Sequence, residues 1–124
     1  MAVRGVRGAI VVDKDDAQVI LQATRQLLLA VLQANPSMCR EDIGCSFFTV
    51  TADLCSTYPA RAAREMGWDQ VPMMCAQEIP VPDGLARCIR LMVLWNTELA
   101  QEAIQHVYLG DAAILRPDLN CKPV

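Results

Sequence analysis

A chain of 124 residues and 13.6 kDa is one domain by size, long enough to bury about two-thirds of its unfolded surface. A formal charge of −3 and a pI near 5.0 exclude non-specific binding to nucleic acid or to an anionic membrane, both of which need a basic field. The hydrophobic fraction of 53% is high for so small a soluble chain, and it predicts apolar surface buried against copies of the same chain.

No run reaches the length of a membrane span, because Arg25, Gln26 and Gln33 interrupt the most hydrophobic helix and Arg90 the most hydrophobic strand. Met1–Gly5 lacks the apolar core of a signal peptide, so a cytoplasmic protein is expected. The cysteines at 39, 45, 55, 75, 88 and 121 form no C-x-x-C pair and accompany a single histidine, a pattern without zinc-ligand spacing. They are expected to stay reduced.

Val3–Val12 reads as a first strand, with Arg7 between Gly5 and Ala9 on one face. Small neighbours leave room around the charged head for an anion; an edge-strand arginine reaching for water is the alternative. A helix follows, with Asp15 as N-cap and Gln18 completing a capping box. Its buried stripe is Ile20, Thr24, Leu27, Leu28 and Val31, and it stops at Asn35-Pro36. Ser37–Asp42 is a polar turn, and Ile43–Thr51 is a second strand. Tyr58–Gly67 is a short helix with proline in its first turn and glycine past its end. Val71–Gln77 is a third strand, ending at Glu78 and a stiff loop with Pro80 and Pro82.

Cys88–Thr97 is the central strand, with Ile89, Leu91, Val93 and Trp95 on one face and Arg90, Met92, Leu94 and Asn96 on the other. Both faces are mostly apolar and are expected to be buried. A guanidinium on such a strand needs an anion, and the run contains no carboxylate. Beyond it the pattern predicts a polar helix over 98–105, a short strand His106–Leu109, a Gly110-Asp111 turn and a strand Ala112–Leu115. These elements describe an α+β domain, a mixed sheet with helices packed on one face. Residues 1–117 form that domain, and 118–124 a flexible tail.

Arg7, Arg64, Arg90 and Arg116, with Glu78, Tyr108 and Cys75 as convergent groups, suit a dianionic ligand, since guanidinium forks match carboxylates bidentately. Phosphate is disfavoured because no glycine-rich loop leads into a helix. Cys75 with His106 is the one cysteine and histidine pairing to weigh for nucleophilic catalysis, but nothing supplies a third, orienting group. A core thiol and a hydrogen-bonded structural histidine are the favoured readings. Arg61 and Arg64, taken alone, are ordinary solvent charges.

The segments Val3–Ala9, Tyr58–Arg64, Val71–Glu78 with its Gln77-Glu78 pair, Cys88-Ile89-Arg90, His106–Leu109 and Leu115–Leu119 together resemble the monofunctional AroH-class chorismate mutases. The likeness spans nearly the whole chain, and the joint order of the blocks is more specific than any one of them. It implies a trimeric pseudo-barrel with active sites at the subunit interfaces, no cofactor, and chorismate as substrate. By the same resemblance Arg90 faces the ether oxygen and a carboxylate, Arg7 and Tyr108 hold the enolpyruvyl carboxylate end, and Glu78 with Cys75 approaches the ring hydroxyl. Met74, Ala76 and Gln77 line that wall, Tyr58 and Arg64 come from a neighbouring protomer, and Arg116 lies near the entrance. Tyr58 replaces a more usual phenylalanine, and Gln105 a usually basic residue. Strict alternation puts Cys75 and Glu78 on opposite faces, so their joint role requires a bend before Pro80.

The implied activity is a pericyclic conversion of chorismate to prephenate in aromatic amino-acid biosynthesis. A non-catalytic small-carboxylate sensor on the same scaffold and a Rid-like imine or enamine deaminase are the alternatives, and fold alone does not separate them.

Overall fold

The structure, a computed structural model, describes residues 1–115. Its strands are β1 (Ala2–Val11), β2 (Ile43–Val50), β3 (Met73–Gln77), β4 (Cys88–Thr97) and β5 (Val107–Leu109), and its helices α1 (Ala17–Ala34) and α2 (Ala60–Glu65). Single 3₁₀ turns occupy Arg40–Asp42, Gln101–Ala103 and Gly110–Ile114. The expected α+β class holds: one mixed five-stranded sheet in the order β3-β2-β4-β1-β5. β4 pairs antiparallel with β1 and β2, while β3 and β5 add parallel edges.

One side of the sheet carries the core. Val6 and Ile10 of β1, Phe48 of β2, and Ile89, Leu91, Val93 and Trp95 of β4 pack with Ile20, Leu27, Leu28 and Val31 of α1 and Ala60 and Ala63 of α2. The apolar period of α1 is what delivers its stripe to that layer. The other side differs from expectation. Arg90, Met92, Leu94 and Asn96 are only half-buried, and Val3, Phe47 and Met74 are exposed at 58%, 40% and 65%. Within one protomer, β4 is therefore buried on one face and open on the other.

Three local expectations are corrected. Asp16, not Asp15, caps α1: its carboxylate accepts from the N–H groups of Gln18 and Val19. Asp15 instead accepts from the N–H groups of Cys55 and Ser56 and from the Cys55 thiol, tying the start of α1 to the loop before α2. The helix expected over 98–105 is a single 3₁₀ turn, because the Gln101 amide pairs with both the carbonyl and the N–H of Gly5 and draws the segment along the edge of β1. The strand expected at Ala112–Leu115 is also a 3₁₀ turn. Gly110 at φ +57° ends β5, and Ala112 packs into a small cluster with Ala9, Cys88 and Tyr108. No helix among the described residues is long and apolar enough to cross a membrane.

Candidate active site

The sheet register assembles the site. Ala76, Thr49, Arg90, Ala9 and Tyr108 are consecutive partners across all five strands, one in-register row from edge to edge. Period-two alternation then places Arg7, two residues before Ala9, and Glu78, two after Ala76, on the same open face. Arg90 stands at the centre of the row, and Ala9 beside it has a small side chain that leaves space between Arg90 and Tyr108.

A cavity of about 160 Å³ over this row is lined by Arg7, Gly8, Phe47, Thr49, Glu78, Arg90, Leu91, Met92 and Tyr108. Arg90 Nε lies 3.5 Å from Glu78 Oε2, with both side chains about three-quarters buried or somewhat less, at 33% and 25% exposure. Nε is fully buried and forms no hydrogen bond among the described residues. The pair is thus a charge contact through Nε rather than a hydrogen-bonded bidentate fork. Thr49 Oγ1 donates to Glu78 Oε2 and fixes that carboxylate from the neighbouring strand. The Arg7 guanidinium stands 5.9 Å from the Tyr108 ring centroid, a cation–π distance.

The backbone of Arg7 is held as well. Its N–H donates to His106 Nδ1 at 2.9 Å, which requires that ring nitrogen to be unprotonated. The structural reading of His106 holds in that respect. Below Arg90, the thiol of Cys88 is buried, and burial pushes its pKa up while the Arg90 charge works in the opposite direction.

A second cavity, about 450 Å³ in volume, adjoins the first along the same pair, with Thr51, Asp53, Ile79, Val81 and Leu85 beside Glu78 and Arg90. Glu78 and Arg90 line both spaces.

The remaining candidates lie elsewhere. Cys75 pairs with Phe48 and faces the helix side of the sheet, and β3 runs straight through Gln77 with Glu78 N–H still bonded to the Val50 carbonyl. The bend expected before Pro80 is absent, because the parallel ladder continues to Glu78. Cys75, Ala76, Gln77 and Tyr58 line a separate cavity of about 410 Å³ at the β3 edge. Met74 is exposed on the open face opposite Phe47. Arg64 is exposed on α2 without an ion pair among the described residues, whereas Arg61 and Arg25 both meet Glu65, at 3.3 and 3.5 Å. Arg116 and the tail 118–124 lie outside the described residues.

Thr49, Phe47, Met92 and Cys88 are neighbours of the arginine pair that sequence reasoning did not single out. Cys88 and Met92 carry a local signal, two residues before and two after Arg90 on one face; Thr49 and Phe47 arrive through pairing. Among the described residues no group of three or more histidine, cysteine or acidic side chains is disposed to hold a metal ion.

The family model "Chorismate mutase type I" matches residues 3–119. The chain is 51% identical over 118 residues to a protein of Thermus thermophilus named chorismate mutase AroH, covering 95% of this chain and 97% of the relative. It is 43% identical over 121 residues to the Bacillus subtilis protein of the same name, covering 97% and 94%. A solved chorismate mutase from Clostridium thermocellum superposes with a TM-score of 0.86 at 41% identity, covering 89% of this chain and 97% of that one.

Proposed function

The chain belongs to the type I chorismate mutase family, and from that premise we propose how its site turns chorismate into prephenate. The enzyme is an isomerase, and the rearrangement is pericyclic: a carbon–oxygen bond breaks as a carbon–carbon bond forms within one molecule. No proton, nucleophile or cofactor enters that step. What remains for the protein is to hold the flexible substrate in its compact reactive conformer and to meet the negative charge that grows on the ether oxygen.

Arg90 takes the second role. It is positioned by the central strand with Nε beside Glu78, so its charge needs little reorganisation as the bond breaks, and it favours the transition state over the ground state. Arg7 and Tyr108 hold the enolpyruvyl carboxylate, and Glu78, oriented by Thr49, accepts the ring hydroxyl. The observation that carries this reading is the lining of one cavity by Arg7, Glu78, Arg90 and Tyr108 in a chain of this family.

The other candidates complete the site from a neighbouring copy. Tyr58 and Arg64 were assigned there by resemblance, and Cys75 joins them because it shares the Tyr58 cavity and faces away from Glu78. Met74, Ala76 and Gln77 belong to the same edge strand, and the resemblance puts Arg116 near the entrance. A homotrimer with three interface sites around a pseudo-barrel supplies both walls. It would also cover the open sheet face, where Val3, Phe47 and Met74 stand exposed. We place this single catalytic domain, residues 1–117, in the cytoplasm, at the branch toward phenylalanine and tyrosine.

Loss of chorismate absorbance on adding the purified protein tests the activity directly. A protein that binds chorismate without consuming it would instead be a sensor, and one that leaves chorismate untouched but releases ammonia from an imine would be a deaminase.

A further inference from the structure

The start of β4 is held by a carboxylate that no part of the mechanism above uses. Arg87, immediately before the strand, sits at φ +49°, a left-handed conformation that a non-glycine residue adopts only at an energetic cost. Its N–H donates to both oxygens of Asp53, at 3.1 and 3.0 Å. Thr51 Oγ1 donates to Asp53 Oδ1 at 2.5 Å and accepts from the Cys88 N–H at 2.9 Å. Arg87 also exchanges bonds with Val12, its Nε and its carbonyl both engaged, at 3.0 and 2.9 Å. Two consecutive N–H groups at the start of the central strand are therefore oriented by the turn that follows β2.

Arg90 lies three residues further on, with the Cys88 thiol beside its guanidinium. The β1 and β2 ladders fix the register of β4 from Cys88 and Ile89 onward, so register is not what the carboxylate decides. What the bonds from Asp53 and Thr51 reach is the orientation of the Arg87 and Cys88 N–H groups, and Cys88 is the residue beside the guanidinium.

We propose that Asp53 is a positioning residue for Arg90: its carboxylate holds Arg87 left-handed and, through Thr51, sets Cys88, so that the guanidinium meets the ether oxygen without rearranging. This rests on the assignment of Arg90 to that oxygen. A displacement on the order of 1 Å at a charge-stabilising group costs up to about a hundredfold in rate. The loss falls on kcat, because Arg7 and Tyr108 continue to bind the carboxylate.

The experiment compares Asp53→Ala, Asp53→Asn and the double variant Asp53→Ala/Arg87→Gly, assayed at saturating chorismate after circular dichroism and thermal melting confirm folding at the assay temperature. Asp53→Ala lowers kcat by at least about tenfold while KM moves less than about threefold. Asp53→Asn, which keeps an acceptor in place, retains most of kcat. Arg87→Gly, which removes the conformational cost of the left-handed residue, restores a large part of what Asp53→Ala loses. The proposal is overturned if folded Asp53→Ala keeps its kcat, if the loss lies in KM alone, or if glycine at 87 restores nothing. Arg90→Ala assayed in parallel separates the two readings: if it keeps full kcat, the assignment of Arg90 itself fails, whatever Asp53 does.

Discussion

Arg90 Nε and Glu78 Oε2 are 3.5 Å apart, and the pair forms a common wall of two adjoining cavities. In the proposed site, a carboxylate beside the Arg90 cation lowers its field at the substrate, yet it also anchors the guanidinium. Both partners retain some solvent access, so the attraction between them is modest, about 1 kcal/mol or less. Contact through Nε is the geometry the proposed role needs, with the terminal nitrogens directed to the substrate.

Arg90→Ala should lower kcat on the order of a thousandfold while the protein stays folded, as for loss of a principal donor to a developing oxyanion. Steady-state kinetics at saturating chorismate, with a melting curve, decide it. Near-normal kcat would remove Arg90 from the reaction.

The interface reading predicts a mass of about three times the 13.6 kDa chain in sedimentation equilibrium. It also predicts complementation. Arg90→Ala and Arg64→Ala homotrimers, each weak alone, should recover activity when unfolded together and refolded as a mixture, because about a quarter of the mixed sites then have two intact walls. A fully active monomer, or a mixture no better than its parts, would place every functional group in one protomer.

Much of this was legible in the chain itself. β4 is expected at Cys88–Thr97 and lies there, because a ten-residue run, seven of them apolar and of strand character, bounded by turn residues leaves little choice. α1 was found with its buried stripe, and its cap missed by one residue, since Asp15 and Asp16 are equivalent until Cys55 and Ser56 claim the first of them. The meeting of Arg7, Arg90 and Tyr108 was proposed from charge and resemblance. Its cause, Ala9 pairing with both Arg90 and Tyr108, is a long-range register that no local pattern encodes. For the same reason the segment 98–105 misled: helix propensity is a weak prior, and the Gln101 amide bonded to Gly5 outweighs it.

kcat should be nearly flat between about pH 6 and 9, because guanidinium groups keep their charge and no acid or base acts in the step. A solvent deuterium effect close to one should accompany it. A bell-shaped profile centred near neutrality with a large isotope effect would mean that a proton moves in the transition state.

Cys55 is exposed but should alkylate slowly. Its hydrogen bond to Asp15, and then the Asp15 charge, raise its pKa above the ordinary 9.0, so less thiolate is present at a given pH. In sign, the stabilisation from this thiol is complete below the unfolded value near 9.0 and lost as pH rises through the folded value. For Asp15, held below 3.8 by Ser56 and Cys55, the stabilisation is present above 3.8 and lost as pH falls through its lowered value. Iodoacetamide labelling followed by mass spectrometry at about pH 8.5 should show native Cys55 slower than the unfolded peptide, and faster again in Asp15→Asn. Equal rates in the native and unfolded chains would dismiss the bond.

Gly8 separates Arg7 from Ala9 on β1, and a methyl group added there would come within 3.1 Å of Leu27 Cδ1 on α1 and 3.3 Å of the Val107 carbonyl on β5. That missing carbon lets the helix and the edge strand close on β1 from the dry side of the sheet. Tyr108 follows Val107 directly, so the spacing between its ring and the Arg7 head depends on this close packing on the helix side of the sheet, opposite the proposed site. A search for variants with a wider or narrower chamber would therefore begin behind the sheet, at Leu27 and its neighbours, where a change of one methylene reaches the cavity through the backbone and alters none of its polar side chains chemically.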